Sequence, residues 1–246
     1  ARGDAVVLHD INLRIATGEH VAILGPNGCG KSTLIKTITC ECYPIVAPGT
    51  SIRLLGRARW DVSQLRRHLG VVEAHLPGER TGVTRGLDAV IAGFFSASTL
   101  WPNLHVTSEM RVRAHTALER MQATHLEEKL VGQMSAGEQR RIMIARALVH
   151  EPDMLLLDEP SNALDLAAQR ELREALRLIA QQGTGILMVT HYLADILPEI
   201  TRVIMMREGR IFADGPKEDL ITPVKLHELF GVEVTLTRRD GYWHSW

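Results

Sequence analysis

Net charge, cysteine and long apolar runs are all scarce in this sequence. Its 28 basic and 29 acidic side chains leave a formal charge of −1, and no basic run marks a surface for nucleic acid or a membrane. Apolar stretches such as Ala89 to Phe95, which has seven residues, are too short to cross a bilayer, which takes about 20 residues. We therefore expect no nucleic-acid partner and no membrane-spanning helix.

The first residues and the cysteines bear on the cellular location of the protein. Residues 1–8 are mixed in character and do not resemble a secretory signal. Cys29, Cys40 and Cys42 do not make a disulfide framework, and the Cys40–Cys42 pair lacks a second ligand cluster at metal-like spacing. Reduced structural thiols fit this pattern better than a metal site, and we expect a cytosolic, reducing location.

Short apolar runs predict an α/β doubly wound core. They are of the kind that form parallel strands buried on both faces. These runs are Val21–Leu24, Met154–Leu157 and Ile186–Val189. Between the last two, Leu172, Leu176 and Ile179 mark one face of a helix that starts after Asp165, a good N-cap.

The rest of the chain predicts additions to this core. Val6 to Ile15 alternates in part, as a half-buried strand does. About residues 75–134 read as a helical lobe inserted between core strands, with helical segments at Gly86–Phe95 and Glu109–Met121. After Gly209, short strands are predicted at Arg210–Ala213 and Glu233–Leu236, and about residues 231–246 form a C-terminal β appendage.

A glycine-rich segment between the first apolar run and a helical pattern predicts a phosphate-binding loop. Residues 25–32, GPNGCGKS, match G-x-x-x-x-G-K-[ST]. Small residues let backbone N–H groups close around phosphate oxygens, and the following helix N-terminus adds positive potential. In this pattern Lys31 reaches the β- and γ-phosphates, and the Ser32 hydroxyl binds Mg²⁺.

Two carboxylates follow the apolar run that ends at Leu157. Asp158 and Glu159 are therefore predicted at the carboxyl edge of the sheet, where open α/β sheets bind ligands. Asp158 suits Mg²⁺ binding through water, and Glu159 is then free to polarise an attacking water. A solvated acidic turn is the alternative, but the continuation Pro160 to Asp165 favours a functional site.

Two other motifs lie at the ends of predicted elements. Thr190 and His191 end the next apolar run at the same edge, from which the His191 imidazole can reach a γ-phosphate. Ser135 to Glu138 (SAGE) fits a helix capping box with Ser135 at the N-cap and Glu138 at N3. A capping box is common, yet the same helix N-terminus is also a potential anion site.

Taken together, four segments resemble the motifs of the ATP-binding cassette (ABC) ATPases. They are Gly25–Thr33 (GPNGCGKST), Met134–Arg140 (MSAGEQR), Leu155–Asp165 (LLLDEPSNALD) and Thr190–His191. They look like the Walker A, signature, Walker B plus D-loop, and switch motifs, in the family's order. The resemblance covers nearly the whole chain. It implies a single domain over residues 1–246, with a RecA-like phosphate-loop NTPase core sheet, an N-terminal antiparallel β part and an inserted α-helical lobe.

The resemblance also implies partners and residue roles. It implies a head-to-tail dimer, of two copies or with a related cassette, that holds two ATP molecules and Mg²⁺. The nucleotide-binding residues are then Gly25, Pro26, Asn27, Gly28, Cys29, Gly30, Lys31, Ser32 and Thr33. Glu159 is the general base, His191 contacts the γ-phosphate and Lys31 completes the catalytic set. Ser32 and, through water, Asp158 hold Mg²⁺. The segment that covers the partner's ATP is Ser135, Ala136, Gly137 and Glu138. Asp165 lies across the interface.

The sequence departs from the family's pattern at two positions. The aromatic residue that usually stacks on adenine falls at about Arg2, whose guanidinium can also stack on a base. The glutamine that follows a Gly-x-Val strand is replaced by Ala74, or by Glu73 if the register slips by one. We expect Ala74 with a water molecule in place of the missing ligand.

The leading functional hypothesis is an ATP-hydrolysing subunit that drives a membrane permease carried on other chains, peripheral on the cytoplasmic face. Its lobe residues Phe94, Phe95, Leu100 and Trp101 form either part of the permease contact or a small lobe core. The alternative is a non-transport ABC ATPase acting in translation, DNA repair or iron–sulfur assembly. Translation-type members usually carry two cassettes, and repair members a long coiled coil; this sequence has neither. A regulator that binds nucleotide without hydrolysis is disfavoured by Glu159 and His191.

Overall fold

The computed structural model describes residues 6–45, 47–72 and 81–246. The chain divides into two compact units. The first comprises residues 1–65, 156–159 and 185–246, and the second comprises residues 66–155 and 160–184. Arg2, Glu73 and Ala74, on which both departures from the family pattern fall, lie outside the described residues.

The regular elements over the described residues are as follows. The strands are β1 (His20–Leu24), β2 (Leu69–Val72), β3 (Met154–Asp158), β4 (Gly185–Thr190), β5 (Arg202–Arg207), β6 (Arg210–Pro216), β7 (Leu236–Arg239) and β8 (Tyr242–Ser245). The helices are α1 (Lys31–Ile38), α2 (Val62–His68), α3 (Gly86–Ile91), α4 (Ser108–Arg120), α5 (Ala136–Leu148), α6 (Leu166–Gln181), α7 (Lys217–Leu220) and α8 (Pro223–Phe230).

The sheet of the first unit is built from the apolar runs. Across it, the end of β3 is followed by β4, β1, β5 and β6. β1 is parallel to both neighbours, with Val21 opposite Leu187 of β4 and Arg202 of β5. β6 returns antiparallel to β5. β4 is buried along its whole length, and β1 is buried at every residue after His20. The predicted α/β core with parallel strands buried on both faces is confirmed.

The predicted strand at Val6–Ile15 is wrong. Residues 6–19 contain no strand, although burial does alternate from Ile11 to Ile15. Asp10 has a positive φ of 50°, which interrupts an extended chain. The antiparallel part of the first unit is instead the β5–β6 pair, and the N-terminal segment is fixed by single contacts, such as the bond from His9 N to Gly209 O at 2.9 Å.

The second unit is mainly helical. α3 continues as a 3₁₀ turn from Ala92 to Phe95, and α4 starts one residue before the predicted position. The largest fully buried side chains of the second unit include Leu118, Met121, Leu126, Ile142 and Ile144. β2 and the first residues of β3 also belong to this unit. The limits 75–134 that the sequence gives for an inserted lobe stay a prediction.

The C-terminal residues of the first unit form a separate two-stranded sheet. β7 and β8 pair antiparallel, with Arg239 opposite Tyr242 across the turn Asp240–Gly241. The strand predicted at Glu233–Leu236 begins only at Leu236, whereas the one predicted at Arg210–Ala213 is β6. Over the described ranges, the helices lack either the length or the apolar composition needed to cross a membrane.

Candidate functional site

The glycine-rich segment forms a loop between β1 and α1. Gly28 and Gly30 have φ values of 80° and 106°, in the region that glycine adopts without strain. Gly30 is the N-cap of α1 and, as a glycine, has no side chain with which to cap it. The first N–H groups of α1 therefore receive no bond from an N-cap side chain, which suits phosphate binding at a helix N-terminus.

Met206 and Gly209, which are distant in sequence, pack against the glycine-rich loop. A Cβ at Gly25 would lie 2.3 Å from Met206 O, so only glycine fits there. The amide of Gly209 donates to Cys29 O at 2.9 Å. Cys29 itself is 5% exposed, and burial raises the pKa of its thiol. Met206 and Gly209 were not predicted as part of the site, and Gly209 as a turn glycine was the available signal in the sequence.

Lys31, Glu159 and His191 meet in the first unit. The Lys31 ammonium donates to Gly25 O at 2.6 Å and to Pro26 O at 3.1 Å. It also lies 3.9 Å from Glu159 Oε1. The other oxygen of the same carboxylate, Oε2, lies 2.7 Å from His191 Nδ1. A cation, a carboxylate and an imidazole from three separate segments of the sequence are thus grouped around Glu159.

The position of Glu159 is fixed by its backbone conformation and by a hydrogen bond from its amide. Its φ of 47° is unusual for a residue with a side chain, and its amide donates to Val189 O at 2.8 Å. Although Glu159 Oε2 and His191 Nδ1 are 2.7 Å apart, both atoms lack a hydrogen bond of acceptable geometry within the described structure. The two atoms are therefore close to each other but are not aligned as a hydrogen bond.

His191 is positioned by the residues on either side of it. The Thr190 hydroxyl donates to Asp195 Oδ2 at 3.1 Å and accepts from Tyr192 N at 3.0 Å. Thr190 is fully buried and Asp195 is 2% exposed. The Tyr192 ring lies against the imidazole, with centroids 3.8 Å apart. The sequence analysis missed Asp195, because its partner lies five residues earlier on a different element.

Oxygen donors suited to a magnesium ion are present beside these groups. Ser32 is the exposed second residue of α1, and Asp158 is the half-buried last residue of β3. Mg²⁺ prefers a hydroxyl and a carboxylate supplemented by water and phosphate oxygens over an all-protein cage. Among the residues that the structure describes, there is no cluster of three or more His, Cys, Asp or Glu side chains able to hold a metal ion.

The signature segment caps α5 in the second unit. Ser135 and Glu138 form the predicted capping box, with Glu138 N to Ser135 Oγ at 3.3 Å and Ser135 N to Glu138 Oε2 at 2.7 Å. Lys129 Nζ donates to both Glu138 oxygens, at 2.9 and 2.8 Å, and this interaction lowers the pKa of that carboxyl. The sequence analysis did not identify Lys129.

The D-loop aspartate caps the neighbouring helix of the same unit. Asp165 Oδ1 accepts from Ala168 N at 2.8 Å at the start of α6, as its N-cap position predicts. A Cβ at Gly137 would lie 2.8 Å from the Ala168 Cβ, so the first turns of α5 and α6 are in close contact. The second unit therefore brings the predicted signature and D-loop residues together, and the first unit brings Lys31, Glu159 and His191 together.

Comparisons with known proteins find relatives among the ABC transporters. A family model described as ABC transporter matches residues 8–162. The hemin import ATP-binding protein of Bordetella parapertussis is 34% identical over 248 aligned residues, covering 95% of this chain and 89% of that protein. The structure of CbiO1 from Clostridium perfringens, part of the ABC transporter complex CbiONQ, is 29% identical with a TM-score of 0.73, covering 90% of this chain and 86% of that one. The dimeric cassette MJ0796, bound to ADP and Pi, is 26% identical with a TM-score of 0.69, covering 85% and 90%.

Proposed function

Because this chain belongs to the ABC transporter family, whose model matches residues 8–162, we propose that Lys31, Glu159 and His191 form its site of ATP hydrolysis. The chain is an ATP-binding and ATP-hydrolysing subunit of an ABC transporter. The relatives compared above belong to ABC transport systems, which favours transport over an ABC ATPase of translation, DNA repair or iron–sulfur assembly.

One observation carries the assignment of the site: a carboxylate lies between a lysine and a histidine at the end of buried strands. Lys31 Nζ is 3.9 Å from Glu159 Oε1, and His191 Nδ1 is 2.7 Å from Glu159 Oε2. In the proposed mechanism the phosphate loop and Lys31 bind the β- and γ-phosphates. Glu159 takes a proton from the water that attacks the γ-phosphorus, and His191 donates to a γ-phosphate oxygen. The products are ADP and inorganic phosphate.

Magnesium is the cofactor that this donor set fits. The Ser32 hydroxyl would bind the ion directly, and the Asp158 carboxylate would hold it through water. When bound, Mg²⁺ neutralises charge on the β- and γ-phosphate oxygens. The residues of the chain bind the phosphates, orient the attacking water and accept its proton.

The signature segment completes the site of a second copy in this proposal. Two chains, or this chain and a related cassette, bind head to tail with two ATP molecules between them. The N-terminus of α5, from Ser135 to Glu138, covers the ATP of the partner with its N–H groups, while Asp165 lies across the interface. The dimeric structure of the cassette MJ0796 with ADP and Pi supports dimerisation as such.

Integral membrane permease subunits are the further partners that we propose. The chain would bind them on the cytoplasmic face of the membrane, so that closure of the dimer drives transport. Trp101 is 42% exposed and is the best candidate for that contact. Phe94 instead packs within the second unit, 5.2 Å from the His150 ring and beneath the Arg113 guanidinium. Co-purification of membrane subunits in detergent would test the partnership.

Substitution of Glu159 tests the proposed chemistry. Glu159→Gln keeps the shape of the side chain but cannot accept a proton, so we expect kcat for ATP hydrolysis to fall by about 10²- to 10⁴-fold while Mg-ATP binding is retained. Lys31→Ala should lose hydrolysis and also weaken nucleotide binding.

The matched control for Glu159→Gln is Glu151→Gln. Glu151 has a similar φ of 51° and is not one of the site residues, so this variant should hydrolyse ATP like the wild type. Phosphate release and equilibrium binding of labelled ATP give the two readouts. Hydrolysis by Glu159→Gln at the wild-type rate would refute the role of Glu159.

A further inference from the structure

The C-terminal hairpin packs on the segment that follows His191. β7 and β8 are joined by the two-residue turn Asp240–Gly241. Both turn residues have positive φ, 53° and 83°, as a tight hairpin turn requires. Beyond the strands, Thr235 and Trp246 exchange two backbone hydrogen bonds, at 3.0 and 3.2 Å. An isolated two-stranded hairpin is marginally stable, so contacts with the rest of the first unit must hold it.

Two of those contacts converge on one short stretch of chain. β8 packs against the 3₁₀ turn Leu193–Asp195, which we call the switch turn. The position where a Cβ of Gly241 would stand is 2.9 Å from Pro198 Cγ and 3.1 Å from its Cβ. The hairpin therefore packs on the segment that follows His191, at the switch turn and Pro198. A third contact, from Arg238 NH1 to Glu218 Oε2 at 3.0 Å, fixes its other strand.

The switch turn is connected to His191 by buried polar bonds. Asp195 Oδ2 accepts from the Thr190 hydroxyl at 3.1 Å, and that hydroxyl accepts from Tyr192 N at 3.0 Å. Asp195 N in turn donates to Tyr192 O at 3.3 Å. These bonds enclose His191 from both sides in sequence. A displacement of the switch turn would therefore be transmitted to the backbone that carries the imidazole.

We infer that the β7–β8 hairpin is a positioning element for His191, acting through Pro198 and the switch turn on the Thr190–Asp195 bond. The inference rests on the role proposed for His191. It assigns a role to the hairpin, which has none in the proposed function. Gly241, Pro198 and Asp195 are its positioning residues. None of them is among the groups placed at the phosphates, so the hairpin should affect the rate of the reaction more than the binding of nucleotide.

A pair of glycine substitutions tests this with matched backbone strain. Gly241 and Gly231 have similar positive φ values, 83° and 74°, but a Cβ at Gly231 would meet no atom within 4 Å. Gly241→Ala should push the hairpin away from Pro198 and lower kcat for ATP hydrolysis by about 10-fold or more, since displacements near 1 Å can cost up to about 100-fold. KM for ATP should change by less than about twofold, because uniform binding is untouched. Gly231→Ala should keep the wild-type kcat.

The decisive measurement combines Gly241→Ala with His191→Ala. If the hairpin acts through His191, Gly241→Ala should cause no further loss of kcat once the imidazole is gone. The same fold loss in both backgrounds would overturn the inference, as would an equal loss in Gly231→Ala. Wild-type hydrolysis by His191→Ala alone would instead refute the role proposed for His191.

A rescue variant covers the case in which Gly241→Ala destabilises the chain. Pro198→Gly removes both atoms that the new Cβ would meet, so the double variant Gly241→Ala/Pro198→Gly should recover kcat to the level of Pro198→Gly alone, which is below the wild type because a positioning residue is lost. Thermal melting of each variant gives the folded fraction, and kcat is expressed per folded chain. Failure of Pro198→Gly to restore kcat in a folded double variant would count against transmission through Pro198.

Discussion

Glu159 has the backbone conformation of a glycine but the side chain of an acid. Its φ of 47° costs of the order of 1 kcal/mol or more for a residue with a Cβ. The hydrogen bond from its amide to Val189 O at 2.8 Å helps hold that conformation. In this conformation the carboxylate lies 3.9 Å from Lys31 Nζ and 2.7 Å from His191 Nδ1.

Cys29 provides a prediction about reactivity. Its side chain is 5% exposed, and burial raises the pKa of its thiol. A raised pKa lowers the fraction of reactive thiolate at any given pH. We therefore expect iodoacetamide at pH 7.5 to modify the half-exposed Cys40 and Cys42 well before Cys29, and Cys29 to react faster as the pH rises.

Mass spectrometry of tryptic peptides over a pH series checks this order. Activity is measured after return to neutral pH, and its loss should follow the modification of Cys29, with bound ATP giving protection. Equal rates for all three cysteines at pH 7.5 would contradict the buried placement of Cys29.

Sequence patterns predicted the site residues whose geometry is local. The phosphate loop, the Asp165 N-cap and the Ser135 capping box depend on neighbours within about eight positions, so their residue types are informative alone. Met206, Gly209 and Asp195 were missed because their contribution is a contact with a distant segment or another element. No local pattern distinguishes a backbone carbonyl such as Met206 O that approaches Gly25 from one that does not.

At the scale of elements, the first turn of α5 has two tasks. Ser135 and Glu138 satisfy each other's backbone amides, which stabilises the helix. In the proposed dimer the same turn directs its remaining N–H groups at a phosphate. Thr222 caps α8 by the side-chain bond alone, accepting from Lys225 N at 3.2 Å, and has no such second task.

This difference allows capping and nucleotide contact to be separated. Ser135→Ala and Thr222→Ala should each lower the free energy of unfolding by about 0.5–2 kcal/mol, the usual cost of losing a cap. Only Ser135→Ala should also reduce ATP hydrolysis measured on folded protein. Thermal melts and phosphate release give the two quantities. A Thr222→Ala variant with the same catalytic defect would show that general destabilisation explains both.

Prediction of elements succeeded for the buried strands and failed for the N-terminal segment. Continuous apolar runs such as Leu155–Leu157 have no other stable location than the interior of a sheet. Val6–Ile15 has the alternation of a strand but forms no ladder over residues 6–19, because alternation needs a partner strand before it becomes a sheet. The hairpin turn at Asp240–Gly241 is the opposite case: its turn dipeptide was visible, and its packing on the switch turn was not.

For the whole molecule, the proposed dimer makes a prediction about size. Glu159→Gln should bind Mg-ATP without turning it over, so the ATP-bound dimer should accumulate. Size-exclusion chromatography of this variant should show a monomer without nucleotide and a dimer with Mg-ATP. Adding Ser135→Ala to Glu159→Gln should weaken the dimer, since the signature contact is lost. A Glu159→Gln variant that stays monomeric while binding ATP would refute the head-to-tail model.

The support of Gly25 by Met206 O and of Cys29 by Gly209 has a consequence for synthesis on the ribosome. The GPNGCGKS segment leaves the ribosome before β5, the strand that supports it, and before the turn that precedes β6. Contacts between segments so far apart in sequence form slowly relative to local folding. A nascent chain therefore carries the phosphate motif before the loop has its support, and nucleotide can contribute to folding of the loop only after β5 and the turn before β6 have emerged.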